Sequence, residues 1–264
     1  MNAIRIVVAV LFFLSPSFLY GAGLAYNENF VVLAPNQLLA DAVLSKASAF
    51  RREVAIEWLN EEIPPGLGRT VIHVQLSDRD KGLFLPIDGP DRKMHKMWLQ
   101  TSEDKIDSTL QHEIAHLVMS TNFPTRLPSF IDEGIASRYD DTKRKEIRSK
   151  ITKWLLKRGG LPKLQSMFDE QSISTDNQTA YTAAASLTEF LLSQGDKSKL
   201  LSFAVAGRDN GWNNAIKSHY RFENVDELQV ALEVWTKSQL SKELRTASSI
   251  TPNIPLSISL KLVR

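Results

Sequence analysis

Apolar residues fall into two different rhythms along this chain. Phe30-Val31-Val32-Leu33-Ala34 is a short unbroken apolar run and reads as a buried strand. Pro35-Asn36 then opens a long helix whose stripe is Leu39, Val43, Ala47, Phe50, Val54 and Trp58, and Pro64-Pro65-Gly66 closes it. Val71-Ile72-His73-Val74-Gln75-Leu76 is a β-branched run typical of a strand, with His73 a strand side chain of no chemical role. Gly82–Ile87 and Met94–Leu99 read as two more strands, separated by the turn Asp88-Gly89-Pro90. From there the spacing turns helical. Ile106, Leu110, Ile114 and Leu117 form one stripe behind a capping box at Thr101 and Asp104, and Ser129 reads as the N-cap of a second helix through Ala136. Further helices are expected over Thr142–Arg158, Leu161–Phe168, Thr179–Ser193, Lys197–Ala206, Trp212–His219 and Val225–Leu240, with a turn at Asp209-Asn210-Gly211.

The pattern therefore predicts an α+β fold, mainly helical. A small N-terminal sheet-plus-helix lobe, about Tyr26–Gln100, precedes a helical lobe, about Thr101–Leu240. Residues 241–264 read as a C-terminal tail in which Ile254–Val263 could add an edge strand. At the other end, Arg5, the apolar run Ile6–Leu14 and the small residues Gly21-Ala22-Gly23-Leu24-Ala25 have the order of a secretory signal. We expect residues 1–25 to be a signal peptide, 26–240 one domain, and the chain to be exported; an uncleaved N-terminus would anchor it to a membrane.

Composition narrows the partners. An apolar fraction of 43% supplies a core, and a net charge of +2 argues against a nucleic-acid binder. With no cysteine, an exported chain has no disulfide and relies on packing. Thr142–Arg158 carries Ile147, Ile151, Trp154 and Leu155 among eight Lys and Arg residues; it reads as a solvated helix face, with peripheral contact to an anionic membrane as the sharper alternative.

The chemistry concentrates in His112-Glu113-Ile114-Ala115-His116, an H-E-x-x-H motif. On a helix, histidines four apart share one face and can reach one metal ion together, and the glutamate between them is placed to take a proton from an activated water. The apolar stripe of the same helix lies on the opposite side. A catalytic zinc takes three protein ligands, and Glu133, seventeen positions after His116, is the downstream candidate. Gly134 beside it, a poor helix former, predicts a close approach between the two ligand-bearing helices.

HEIAH followed by LPSFIDEGIA resembles the gluzincin branch of zinc metallopeptidases, in particular the minimal peptidase MA-like domains, and more distantly the aminopeptidases of the aminopeptidase N type. The metzincin pattern would need a histidine where this chain has Asn122. The resemblance implies a zincin-like two-lobe fold with one catalytic Zn2+ in the cleft, His112, His116 and Glu133 as ligands, and Glu113 as general base. It also implies that Tyr181, opening a helix that closes at Gly195, donates to the oxyanion of the tetrahedral intermediate; read from spacing alone, Tyr181 is equally a core aromatic. In such enzymes an edge strand binds extended substrate, and Met94–Gln100 is the expected one because it leads into the metal helix.

Two departures matter. The acidic residue often found four positions after the ligand glutamate is Ser137 in this chain, so support for a metal-bound histidine must come from elsewhere, Asp132 or Asp140. The G-A-M-E-N segment that holds a free substrate amine is missing, which favours endopeptidase over aminopeptidase action. The expectation is an exported zinc metallopeptidase acting on peptide or protein substrates. The alternative is a catalytically inactive envelope protein that uses the same fold to bind peptides.

Overall fold

The structure, a computed structural model, describes residues 22–67, 69–88, 93–170, 172–174 and 176–249. Most of the expected export signal, the centre of the Asp88-Gly89-Pro90 turn and the Ile254–Val263 segment lie outside those residues. The described chain forms two compact units. One runs through Arg126 and takes back Tyr139–Asp141; the other is Leu127–Arg138 together with the chain from Thr142 onward.

The first unit is a five-stranded sheet with two helices. The strands are β1 (Gly23–Tyr26), β2 (Phe30–Ala34), β3 (Thr70–Leu76), β4 (Lys81–Asp88) and β5 (Lys93–Thr101), in the spatial order β1-β2-β3-β5-β4. β2, β3 and β5 run parallel, and the outer strands β1 and β4 run antiparallel to their neighbours. Helix α1 (Gln37–Leu59) starts at the expected Asn36 cap, whose side chain accepts from the Leu39 amide at 2.8 Å. Phe30, Val32, Ile72, Met97 and Leu99 point to the inner face and are fully buried with Ala40, Val43, Ala47 and Trp58 of α1. Each large side chain taken out of water in this way contributes roughly 1.5–3 kcal/mol.

Helix α2 (Ile106–Asn122) carries the H-E-x-x-H motif and belongs to this unit, packing on α1, β4 and β5, so the division of the chain falls at Arg126 and not at Gln100. The expected capping box does not form. Thr101 is the last residue of β5 and gives its hydroxyl to Asp80 at 3.2 Å, and α2 begins after Lys105 with no side-chain cap. Its stability comes from burial instead: Ile106, Leu110, Ile114, Leu117 and Val118 are almost completely enclosed.

Topology also overturns the expected edge strand. β5 is enclosed by β3 on one side and β4 on the other, so β4 is the edge. Pro86 in β4 fits that position, since proline cannot donate to a ladder and is tolerated at edges.

The second unit is helical: α3 (Ser129–Ala136), a 3-10 turn at Ser137–Tyr139 whose Tyr139 already belongs to the first unit, then α4 (Thr142–Lys157), α5 (Leu164–Asp169), α6 (Gln178–Ser193), α7 (Lys197–Asn210), α8 (Trp212–Tyr220) and α9 (Val225–Ser249). Phe130, Phe168, Phe203 and Trp212 form its aromatic core, with ring centroids 4.6–5.5 Å apart. Several boundaries differ from the pattern. α3 starts at Ser129 behind Pro128 without a side-chain cap; α5 starts later than Leu161, because Pro162 forces the residue before it out of helix; α9 continues past Leu240 to Ser249. The expected three-residue turn reduces to Gly211, at φ +86°, between α7 and α8.

Candidate metal centre

In the first unit, α2 places His112 and His116 on one face, their rings edge to face with centroids 5.1 Å apart. His112 Nδ1 and Asp140 Oδ1 are 2.9 Å apart. In the tautomer that donates Nδ1–H to this carboxylate, the ring's lone pair sits on Nε2, the nitrogen suited to a metal. Asp140 is itself held in place: the preceding Tyr139 accepts from Trp58 Nε1 at 2.8 Å and donates to Glu57 at 2.7 Å, both on α1. Three residues returning from the chain's second half thus lock onto α1 and present a buried carboxylate to a histidine on α2. Of the two acidic residues considered from sequence, Asp140 is the one on His112.

Glu113 packs against β4. It is 5% exposed, and an added Cβ at Gly82 would overlap its carboxylate. Glycine at this strand position is what lets the backbone of β4 lie directly against Glu113. Two residues on, the Phe84 ring lies nearly parallel to His116 with centroids 6.3 Å apart. Neither residue was singled out from sequence. An isolated glycine inside a strand pattern was the available signal for close backbone approach.

In the second unit, Glu133 lies mid-way along α3. Gly134 does bring two helices close together, yet its neighbour is α6 and not α2. An added Cβ would overlap Thr188 and crowd the Ala184 carbonyl. The small residues Ala180, Ala184 and Thr188 at successive helical turns of α6 allow α3 to approach. The first turn of α6 is set by Asn177, which accepts from the Ala180 amide at 3.0 Å, and the next residue, Tyr181, directs its hydroxyl to Glu133 Oε1 at 3.4 Å. Tyr181 is half-buried, with its polar end on a candidate ligand. Ser137 is buried and donates to the Gly134 carbonyl at 2.7 Å, closing α3. It has no carboxylate to offer, and Asp140 serves His112 instead.

His112 and His116 of the first unit and Glu133 of the second can each offer one ligand atom to a metal ion. Two imidazoles and a carboxylate match the donor set of a catalytic zinc that keeps its fourth position open. The remaining histidines have other surroundings. His73 stacks on Trp98, His95 is fully buried with Nδ1 3.5 Å from the Thr70 hydroxyl, and His219 Nδ1 lies 3.0 Å from the Ala215 carbonyl at the end of α8. No protein-family model and no curated protein sequence matches the chain, so the reading of this centre rests on its own residues.

Proposed function

We propose that the protein is an exported zinc metallopeptidase that cleaves peptide bonds within polypeptides. The observation that carries this reading is an H-E-x-x-H helix whose first histidine has a buried carboxylate on Nδ1 and whose glutamate packs against strand β4. His112, His116 and Glu133 would hold the ion. When bound, zinc supplies a Lewis acid that polarises a peptide carbonyl and lowers the pKa of water.

The chain's own groups do the rest. Asp140 fixes the tautomer and orientation of His112. Glu113 takes the proton of the attacking water on its carboxylate and passes it to the departing amine. Tyr181, a neutral donor at pH 7, hydrogen-bonds the oxyanion that develops on the former carbonyl oxygen. Among the described strands β4 is an edge, and it runs beside Glu113, suited to an extended peptide that adds as another strand. The lack of a segment resembling the amine-holding G-A-M-E-N motif favours endopeptidase over aminopeptidase action.

The test is hydrolysis of a diverse peptide pool by the zinc-loaded protein and its Glu113→Gln variant at matched zinc content. The amide cannot accept a proton, so cleavage should fall at least ~10²-fold with zinc retained. Equal rates would assign the cleavage to another site, and no cleavage by the wild type would favour a peptide-binding protein.

A further inference from the structure

Among the described residues, one face of the first unit's sheet is buried against α1 and α2, and the other is largely apolar and at least partly exposed on every strand. Strand register aligns Leu24, Leu33, His73, Trp98 and Leu83 in one row across all five strands, and Tyr26, Val31, Val71, Lys96 and Leu85 in the next. Eight of these ten side chains are aliphatic or aromatic. Exposure among the aliphatic and aromatic residues reaches 69% at Tyr26, and Met94 beside these rows is 49% exposed. Parallel strands such as β2, β3 and β5 are ordinarily covered on both faces. A patch this continuous on a folded protein marks an interaction surface.

Three features select the occupant. Among the described outward-facing strand residues there is no acidic side chain, while Lys81 and Lys96 are cationic. Tyr26 and Trp98 are the side chains that favour the boundary between acyl chains and headgroups, and the Trp98 ring is held by a stack on His73 at 5.9 Å and 13°. Burial and then neighbouring Lys96 keep His73 below the ordinary imidazole range, so it adds little positive charge at neutral pH. Lastly, in the sequence the apolar residues Phe18-Leu19-Tyr20 end four positions before Leu24, a separation of at most ~14 Å, so a bilayer that received that segment would lie close to Leu24.

We propose that this outer sheet face docks on an anionic lipid bilayer, with Leu24, Leu33, Leu83 and Leu85 at the acyl boundary and Lys81 and Lys96 at the headgroups. The inference does not depend on the peptidase reading. It also bears on processing. Gly23–Tyr26 pair with β2, so removal of the leader near Ala25 would take most of β1 and the rim of the docking face with it.

The test uses the full chain with phosphatidylcholine–phosphatidylglycerol vesicles whose acyl chains are brominated near the headgroup, and reads tryptophan quenching. Quenching should be present in the wild type, be lost in Trp98→Phe, persist in Trp154→Phe, and fall several-fold in Leu83→Glu and Lys96→Glu. Trp98→Phe keeps an aromatic ring and so remains informative should a charged variant misfold. Quenching that survives Trp98→Phe overturns the proposal, even if the chain stays bound through its N-terminus. Quenching lost in Trp154→Phe instead would assign docking to the basic helix α4. A dimer in sedimentation that Leu83→Glu dissociates would assign the face to a second copy of the chain.

Discussion

The two units hold their proposed ligands in different ways. His112 and His116 stand on a seventeen-residue helix enclosed by a sheet and a second helix, and each neighbour has a partner distant in sequence: Asp140 on His112, Phe84 by His116, Gly82 against Glu113. Glu133 stands on an eight-residue helix held close to α6 by small residues, and it accepts a hydrogen bond from Tyr181 of that helix at 3.4 Å. The first arrangement fixes orientation through specific side chains, and the second fixes position through close helix packing. Substitutions should therefore act differently on the two. Changes around α2 should alter proton transfer and metal affinity separately, because different partners serve Glu113 and His112.

Tyr181→Phe should have the largest effect of the three that probe this contrast. It keeps the ring and removes only the donor, so turnover should drop by ~10²–10³-fold with zinc affinity nearly unchanged. A fall in zinc affinity with turnover intact would reduce Tyr181 to a support for Glu133 and make the two units more alike. Gly82→Ala should come next. The added methyl occupies the position of the Glu113 carboxylate, and a displacement of about 1 Å in a general base costs up to ~10²-fold in rate. Zinc content should not change, which a metal assay on the variant would check. Smallest is Asp140→Ala, which frees the His112 ring and should weaken zinc binding ~10- to 100-fold, measured by competition with a chelator. An unchanged affinity would mean that α2 alone orients the ring.

Local chemistry was legible in the sequence and long-range pairing was not. H-E-x-x-H sets two histidines on one helical face by spacing alone, and the structure puts them there. The strand runs and the long helices were likewise visible in their periodicity. What failed depended on order or on partners. The capping box at Thr101 and Asp104 is a local pattern, but ladder pairing with β3 carried β5 through Thr101 and took that residue away from the helix. Met94–Gln100 runs into α2 and so resembled an edge, yet periodicity carries no strand order; Pro86 in the neighbouring strand was the better guide. Gly134 announced a close approach without naming its partner, and α6 lies far along the chain. Asp140 was one of two candidates the sequence offered, and the bonds of Tyr139 to Glu57 and Trp58 beside it are a linkage no local rule contains.

Zinc content tests the central claim most directly. The purified wild-type chain, dialysed against a mild chelator, should retain about one zinc per molecule, and His116→Ala should retain almost none while keeping its helical circular dichroism. A folded His116→Ala variant that holds zinc as the wild type does would contradict the account, because the ion would then not be bound by the helix on which the whole reading turns.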